Sequence, residues 1–243
     1  MSVSAPEAST PPRDSALARI PGVFFSPVRT FESIAQRPTW VAPLVLWTLC
    51  SLILTVLIMP RIDYGSLIRE RMEDSGQQIS EERLESMVET QSRIGRVIGY
   101  VWGTAAPAAI CLLLSAIFLG AFKAFGWDVR FKQALGVTTH AFLPAVLGSL
   151  LAIPVIAQRD RIDPRFMSDL VRSNLGFLVA RDSSPALHSL LSSVDVFSLW
   201  VLALLVIGFA AAARVSRGRA ASIIVSLWVL FVLIKTGWAA MTG

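Results

Sequence analysis

Charged residues fall in blocks along this chain, and between the blocks lie long stretches with none. Trp40–Met59, Val97–Phe122, Gln133–Ala157 and Val196–Ala213 contain no Asp, Glu, Lys or Arg. A fifth stretch runs from Ala220 to Ile234, meets Lys235, and continues uncharged to Gly243. A helix of about 20 apolar residues crosses the hydrocarbon core of a bilayer. Helices satisfy their own backbone hydrogen bonds there, which irregular chain cannot. The pattern predicts an all-α, polytopic membrane protein with five transmembrane helices, near 40–59, 97–122, 133–157, 195–213 and 220–241.

The polar blocks have patterns of their own. Residues 1–14 are polar and proline-containing and are expected to be disordered. Residues 15–39 read as a cytoplasmic amphipathic segment, and 40–243 as the membrane domain. Ser26 and Pro27 suit the cap and first turn of a helix. Val28, Phe31, Ile34 and Ala35 then share one face, with Arg29, Glu32, Ser33 and Arg37 on the other. Pro38 ends the helix and Trp40 sits where an interfacial aromatic belongs. Such a helix is expected at the cytoplasmic membrane surface. The alternative is packing on the loops of the bundle.

The segments 61–96 and 158–194 predict two helical extracytoplasmic loops. Ser80 is positioned to cap a helix with Glu81 and Glu82 in its first turn, and Ile79 and Leu84 are spaced as a hydrophobic staple. Leu84, Met87, Val88 and Ile94 carry that helix on into the second span. In the second loop, Phe166–Val179 is amphipathic, His188 reads as a surface histidine, and Asp195 caps the fourth span.

Composition narrows the functional classes. Only 16% of residues are charged and 54% are hydrophobic, against about 25% charged in a soluble domain. A soluble enzyme and a nucleic-acid reader are thereby excluded as main readings. Net charge is +5, and its distribution carries the information. The short loops Lys123–Lys132 and Arg214–Arg219 are dense in Lys and Arg, whereas 61–96 holds 6 basic and 8 acidic residues. The positive-inside rule places the N-terminus and the two short loops in the cytoplasm, and five spans then put the C-terminus outside. Residues 1–39 hold no continuous apolar run, so the first span is expected to act as the insertion signal. Arg214, Arg217 and Arg219 are expected to contact anionic lipid or a protein partner at the cytoplasmic leaflet.

Candidate chemistry is sparse. Gly95, Gly99, Gly103 and Pro107 recur every four residues, a spacing that lets helices approach closely. In the third span Gly136, His140, Pro144, Gly148 and Ala152 recur at the same interval. His140 is an ionisable group well inside a span, which is a functional candidate by default. Pro144 removes a backbone donor nearby. The competing reading of His140 is a neutral imidazole bonded to its surroundings. Lys235 is placed to snorkel outward. Cys50 and Cys111 lie in different spans, which argues against a disulfide framework or a thiolate metal site. No zinc, phosphate-loop or nucleophile motif is present. No catalytic residue, cofactor or metal is therefore expected.

Three stretches together resemble the prokaryotic branch of the YIP family (Ypt/Rab-interacting-protein domain) of five-span membrane proteins. They are Gly22-Val-Phe-Phe-Ser-Pro27-x-x-Thr-Phe31-Glu-Ser-Ile, then Phe131-Lys-Gln-Ala-Leu-Gly-Val with Phe142-Leu-Pro144. The third is Ser193-Val-Asp195-Val-Phe-Ser-Leu-Trp200 through Gly208, followed by Arg214-Val-Ser-Arg-Gly-Arg-Ala. The resemblance implies a cytoplasmic N-terminus, an outside C-terminus and a non-enzymatic, membrane-organising role. Eukaryotic relatives bind Rab GTPases, but residues 1–39 are too short for a folded GTPase-binding module. The expected function is a membrane scaffold or adaptor in membrane organisation or protein and vesicle traffic, contacting the bilayer, membrane or peripheral proteins and further copies of itself. The alternative is a small transporter or channel subunit with a polar path near His140 and Pro144.

Overall fold

The computed structural model describes residues 15–74, 76, 80–162, 173–179 and 184–242. Two short helices, α1 (Arg19–Phe25) and α2 (Pro27–Gln36), precede the first span, α3 (Val41–Ile58). Next come α4 (Tyr64–Asp74), α5 (Glu81–Ala124), α6 (Phe131–Ala141) and α7 (Leu143–Ala157). A short α8 (Pro185–Ser192) leads to α9 (Val196–Ala213) and α10 (Arg217–Thr242). Among the described residues the protein is all-helical, and five helical segments are long and apolar enough to cross a membrane: Val41–Arg61, Glu81–Ala124, Phe131–Ala157, Val196–Ala213 and Arg217–Met241.

The second of these runs 44 residues without interruption, about 66 Å of helix at 1.5 Å per residue. That is twice the roughly 30 Å hydrocarbon core, so its charged first half projects beyond the apolar slab. Ser80 precedes it in extended conformation but caps it through its backbone carbonyl, which accepts from the Leu84 N–H at 3.0 Å, with no side-chain cap bond. The polar 1–14 segment, the Ile79 staple and the first part of the amphipathic 166–179 stretch lie outside the described residues. Leu175–Leu178 forms a single 3₁₀ turn.

The glycine ladder of the second span works as its spacing predicts. Gly95 faces Tyr64, Gly99 faces Met59 and Gly103 faces Thr55, each so closely that a Cβ would collide with the facing side chain. This seats α5 against α3 and α4. The third span is two helices, α6 and α7, meeting at Phe142. Pro144 has no N–H for the His140 carbonyl, four residues back; the Phe142 N–H turns to it instead. Trp47 stacks on Phe142 at that break, ring centroids 5.2 Å apart.

The bundle has a basic face, carrying the 125–130 and 214–216 connections, and an opposite loop face. The main core lies toward the basic face, where Phe31, Phe122, Phe209, Leu204 and Ile224 are fully buried together. At the loop face a smaller cluster joins Ile58, Ile156 and Ile162. There the two loops are tied at their roots: the Ile162 N–H donates to the Arg61 carbonyl at 2.7 Å and the Asp63 N–H to the Ile162 carbonyl at 3.2 Å.

Candidate functional site: the junction of the N-terminal hairpin with spans three and four

The amphipathic helix is present, and its apolar face is met by protein. Phe31 and Ile34 are wholly buried, Ala35 nearly so, while Val28, assigned to the same face, is exposed along with Arg29, Glu32 and Arg37. α2 packs on α6 and α9, so its buried residues meet the third and fourth spans and not the loops that the alternative reading named. Ser26 and Pro27 open α2, but the Ser26 side chain makes no cap bond. Its carbonyl instead accepts from the Thr30 N–H at 3.0 Å and the Thr30 hydroxyl at 2.9 Å. α1 folds back on α2, with Gly22 against Thr30.

Three contacts fix where the hairpin stands. The Gln133 side-chain amide donates to the Ala35 carbonyl at 2.8 Å. A Cβ on Gly208 would lie 2.8 Å from the Phe31 ring and would collide with Val137. Phe24 meets Trp200 edge-on, centroids 5.5 Å apart. From Gly208 to Trp200 the contacts step along α9 away from the basic face, so the hairpin lies along α9 with its turn directed toward the loop face.

Arg19 anchors the hairpin and escaped the sequence reading. It is 5% exposed, and its guanidinium donates to the Arg37 carbonyl at 2.7 Å, Thr39 Oγ1 at 2.8 Å and Ser33 Oγ at 2.9 Å. A planar five-donor group suits such a site better than an ammonium. The available signal was its spacing: Arg19 and the buried Val23 are four apart on one helix face. Gln133 was likewise missed. Its Oε1 accepts from the Arg130 N–H at 2.9 Å, starting α6, while its amide reaches α2.

His140 is fully buried on α6. Its Nδ1 lies 2.8 Å from the Gly136 carbonyl; since a carbonyl only accepts, Nδ1 carries the proton and Nε2 the lone pair. Nε2 has no hydrogen-bond partner among the described residues. Gly136 is itself pressed against Ile34 and the Thr39 carbonyl, each 3.1 Å from where a Cβ would stand, and Gly148 against the Phe197 ring at 2.8 Å. His140 lines neither of the two cavities described below. Pro144 is buried at the start of α7. Arg214, Arg217 and Arg219 are all exposed at the basic face. Arg214 adopts φ 55°, the left-handed conformation that ends α9.

At the loop face a cleft of about 590 Å³ is lined by Arg61, Asp63, Tyr64, Arg69, Glu85 and Arg161 among others. Two Ser66-to-Asp63 bonds shape its wall, at 3.1 and 3.0 Å. Asp63 also pairs with Arg161 at 3.2 Å. The Ser66 N–H holds the Asp63 carboxyl below the usual carboxylate range; burial opposes this and Arg161 adds to it. His188 is not a surface residue: it is 5% exposed, because α8 packs on both α10 and the 175–178 turn. Lys235 reaches the end of α8, donating to Ser193 Oγ at 3.1 Å and to the Ser189 carbonyl at 3.3 Å. Cys50 and Cys111 are buried and not disulfide-bonded. Among the described residues, no three His, Cys, Asp or Glu side chains are grouped to hold a metal.

The three stretches 22–34, 131–144 and 193–208 therefore meet at one place, around Phe31, Val137 and Gly208. A family model described as the Yip1 domain matches residues 22–239. Membrane protein YknW of Bacillus subtilis (strain 168) is 28% identical over 196 residues, covering 81% of this chain and 79% of that protein. No solved structure matches the chain.

Proposed function

The chain belongs to the Yip1 domain family of membrane proteins, and on that premise we propose that it is a non-enzymatic scaffold or adaptor serving membrane organisation or protein traffic. The observation that carries the reading is the closed packing around the family's own motif residues. Gly136 and Gly208 are each covered by a neighbouring side chain, and His140, one turn on from Gly136, is fully buried. A transporter needs a polar path to its intramembrane group from alternate sides. Here α6, which carries His140, is packed on by α5, α9, the hairpin and the first span, which favours a packed junction over a path.

Two surfaces suit partners. The exposed Arg214, Arg217 and Arg219, together with Lys123 and Lys132 on the same face, suit anionic lipid or an acidic partner segment. We place this face in the cytoplasm of a prokaryotic inner membrane. On the opposite face, the projecting half of α5 with α4 presents alternating acids and arginines to the aqueous side, the pattern of a solvated helix available to another protein or to a second copy. The test is crosslinking in intact membranes, mild-detergent purification and mass spectrometry. A reproducible, stoichiometric protein partner is the expected result. Recovery of this chain alone, joined by solute flux when it is placed in liposomes, would overturn the scaffold reading.

A further inference from the structure

A second cavity, of about 990 Å³, lies among α3, α5, α7, α9 and α10 within the spanning region. Binding pockets for small molecules run to about 300–1,000 Å³, so the space is ample. Its walls are almost wholly aliphatic and aromatic. It is closed toward the basic face, where Leu205 and Ile224 are buried. It is open sideways. Leu113 on α5 and Phe231 and Ile234 on α10 line it and yet are 63%, 61% and 64% exposed, and α5 and α10 touch little. In a membrane this gap faces hydrocarbon, not water.

Toward the loop face the same cavity ends on polar atoms: Asp195, Ser198 and Ser173. Asp195 Oδ2 accepts from the Ser198 N–H at 2.8 Å and the Ser198 hydroxyl at 3.1 Å, capping α9. Backbone bonds from Leu175 to Val194 and from Val196 to Ser173 hold this end in place. Asp195 Oδ1 is buried and has no hydrogen-bond partner among the described residues. A buried carboxylate oxygen left without a donor is costly, and here it belongs to a residue that lines an apolar slot open to the bilayer.

We propose that this cavity is a lipid site: one acyl chain enters between α5 and α10, and a primary-ammonium headgroup donates to Asp195 Oδ1. Each half rests on a different observation. The sideways aliphatic opening selects a hydrocarbon chain, and the carboxylate at the interfacial end selects a cationic donor over an anionic head. Asp195 thus has two acceptor duties, one oxygen for its own helix and one for the headgroup.

The test uses the full chain in nanodiscs, with phosphatidylethanolamine or phosphatidylglycerol carrying a photoactivatable diazirine on one acyl chain. The ethanolamine probe should label the buried lining residues Leu205 and Ile224 about tenfold more strongly than the glycerol probe, as expected of a charge-assisted hydrogen bond. Asp195→Asn keeps a capping side chain, so labelling should persist while the preference falls to about even. Ala152→Phe, which fills the cavity from α7, should suppress labelling by both probes. Equal labelling of the native chain by the two lipids would overturn the headgroup assignment, as would an undiminished preference in Asp195→Asn. Labelling confined to the outward side of α5, at Val97 and Val101, would overturn the cavity assignment without need of any variant.

Discussion

Gly208 on the fourth span and Phe31 on the amphipathic helix are in direct contact, and the contact exists because Gly208 has no Cβ. An added methyl would stand 2.8 Å from the Phe31 ring and would strike Val137 as well. The Phe31 ring is fully buried in this notch. Through it, a segment with the composition of a surface helix becomes part of the membrane domain.

Gly208→Val should therefore loosen the hairpin. Overpacking a filled site costs about 1–3 kcal/mol, enough to lower the detergent melting temperature by several degrees. Gly120→Ala is the control, since nothing lies within 4 Å of a Cβ there. The control should be neutral or slightly stabilising, as a glycine in a helix interior costs roughly 0.5–1 kcal/mol relative to alanine. Fluorescence-detected gel filtration after heating distinguishes the two.

The glycine ladder on α5 gives a second expectation. Gly103→Leu must displace Thr55, whose hydroxyl already bonds to the Ser51 carbonyl at 2.8 Å. The span pair α3–α5 should separate, with loss of monodispersity in mild detergent. An unchanged elution profile for this variant would show that the close approach is dispensable.

The spans and the ladder were readable from the sequence because each rests on a one-dimensional signal, the absence of charge or a fixed spacing of small residues. The hairpin's covering was not. An apolar helix face looks the same whether lipid or protein covers it, and α6 and α9 lie far along the chain. Arg19 and Gln133 were hidden for a related reason: a charged or amide side chain reads as exposed until non-local carbonyls are known to face it. The burial of His188 follows from α8 meeting α10 and the 175–178 turn, again a non-local event. Asp195 was legible as a cap, since that role is local; its second, buried oxygen was not.

His140→Ala should keep topology and partner set while reducing stability. The ring is fully buried, and truncating a buried side chain of that size costs roughly 2–4 kcal/mol. A collapse of insertion, seen with a glycosylation or alkaline phosphatase reporter, would show that the imidazole does more than fill space.

The loop-face tie should weaken in acid. Asp63 titrates below its unfolded value, so its contribution is present above about pH 3.9 and disappears as pH falls through the lower folded value. Hydrogen exchange at the Ile162 and Ser66 amides, corrected for intrinsic rate, should rise on acidification, and Asp63→Asn should abolish that extra rise. Arg161→Ala should be nearly silent at neutral pH, because the Arg161 side chain is 81% exposed and exposed ion pairs contribute little.

On the orientation proposed above, replacing Arg214, Arg217 and Arg219 together should weaken cytoplasmic retention of the 214–219 loop and reduce binding to anionic liposomes. A topology reporter in that loop reads the first effect. Cytoplasmic signal at full strength in the triple variant would show that other charges set the orientation.

The seating of the hairpin in the bundle is tested most directly by a cysteine pair at positions 35 and 133, where the Gln133 amide meets the Ala35 carbonyl at 2.8 Å. With Cys50 and Cys111 changed to serine, Ala35→Cys/Gln133→Cys should be joined within one chain by a short, membrane-permeant bis-methanethiosulfonate reagent in intact membranes, a reagent that spans the reach of the replaced Gln133 side chain. Failure of the pair to crosslink, with the thiol introduced at position 35 labelled instead by a lipid-borne thiol reagent, would contradict the seating and return the helix to the membrane surface.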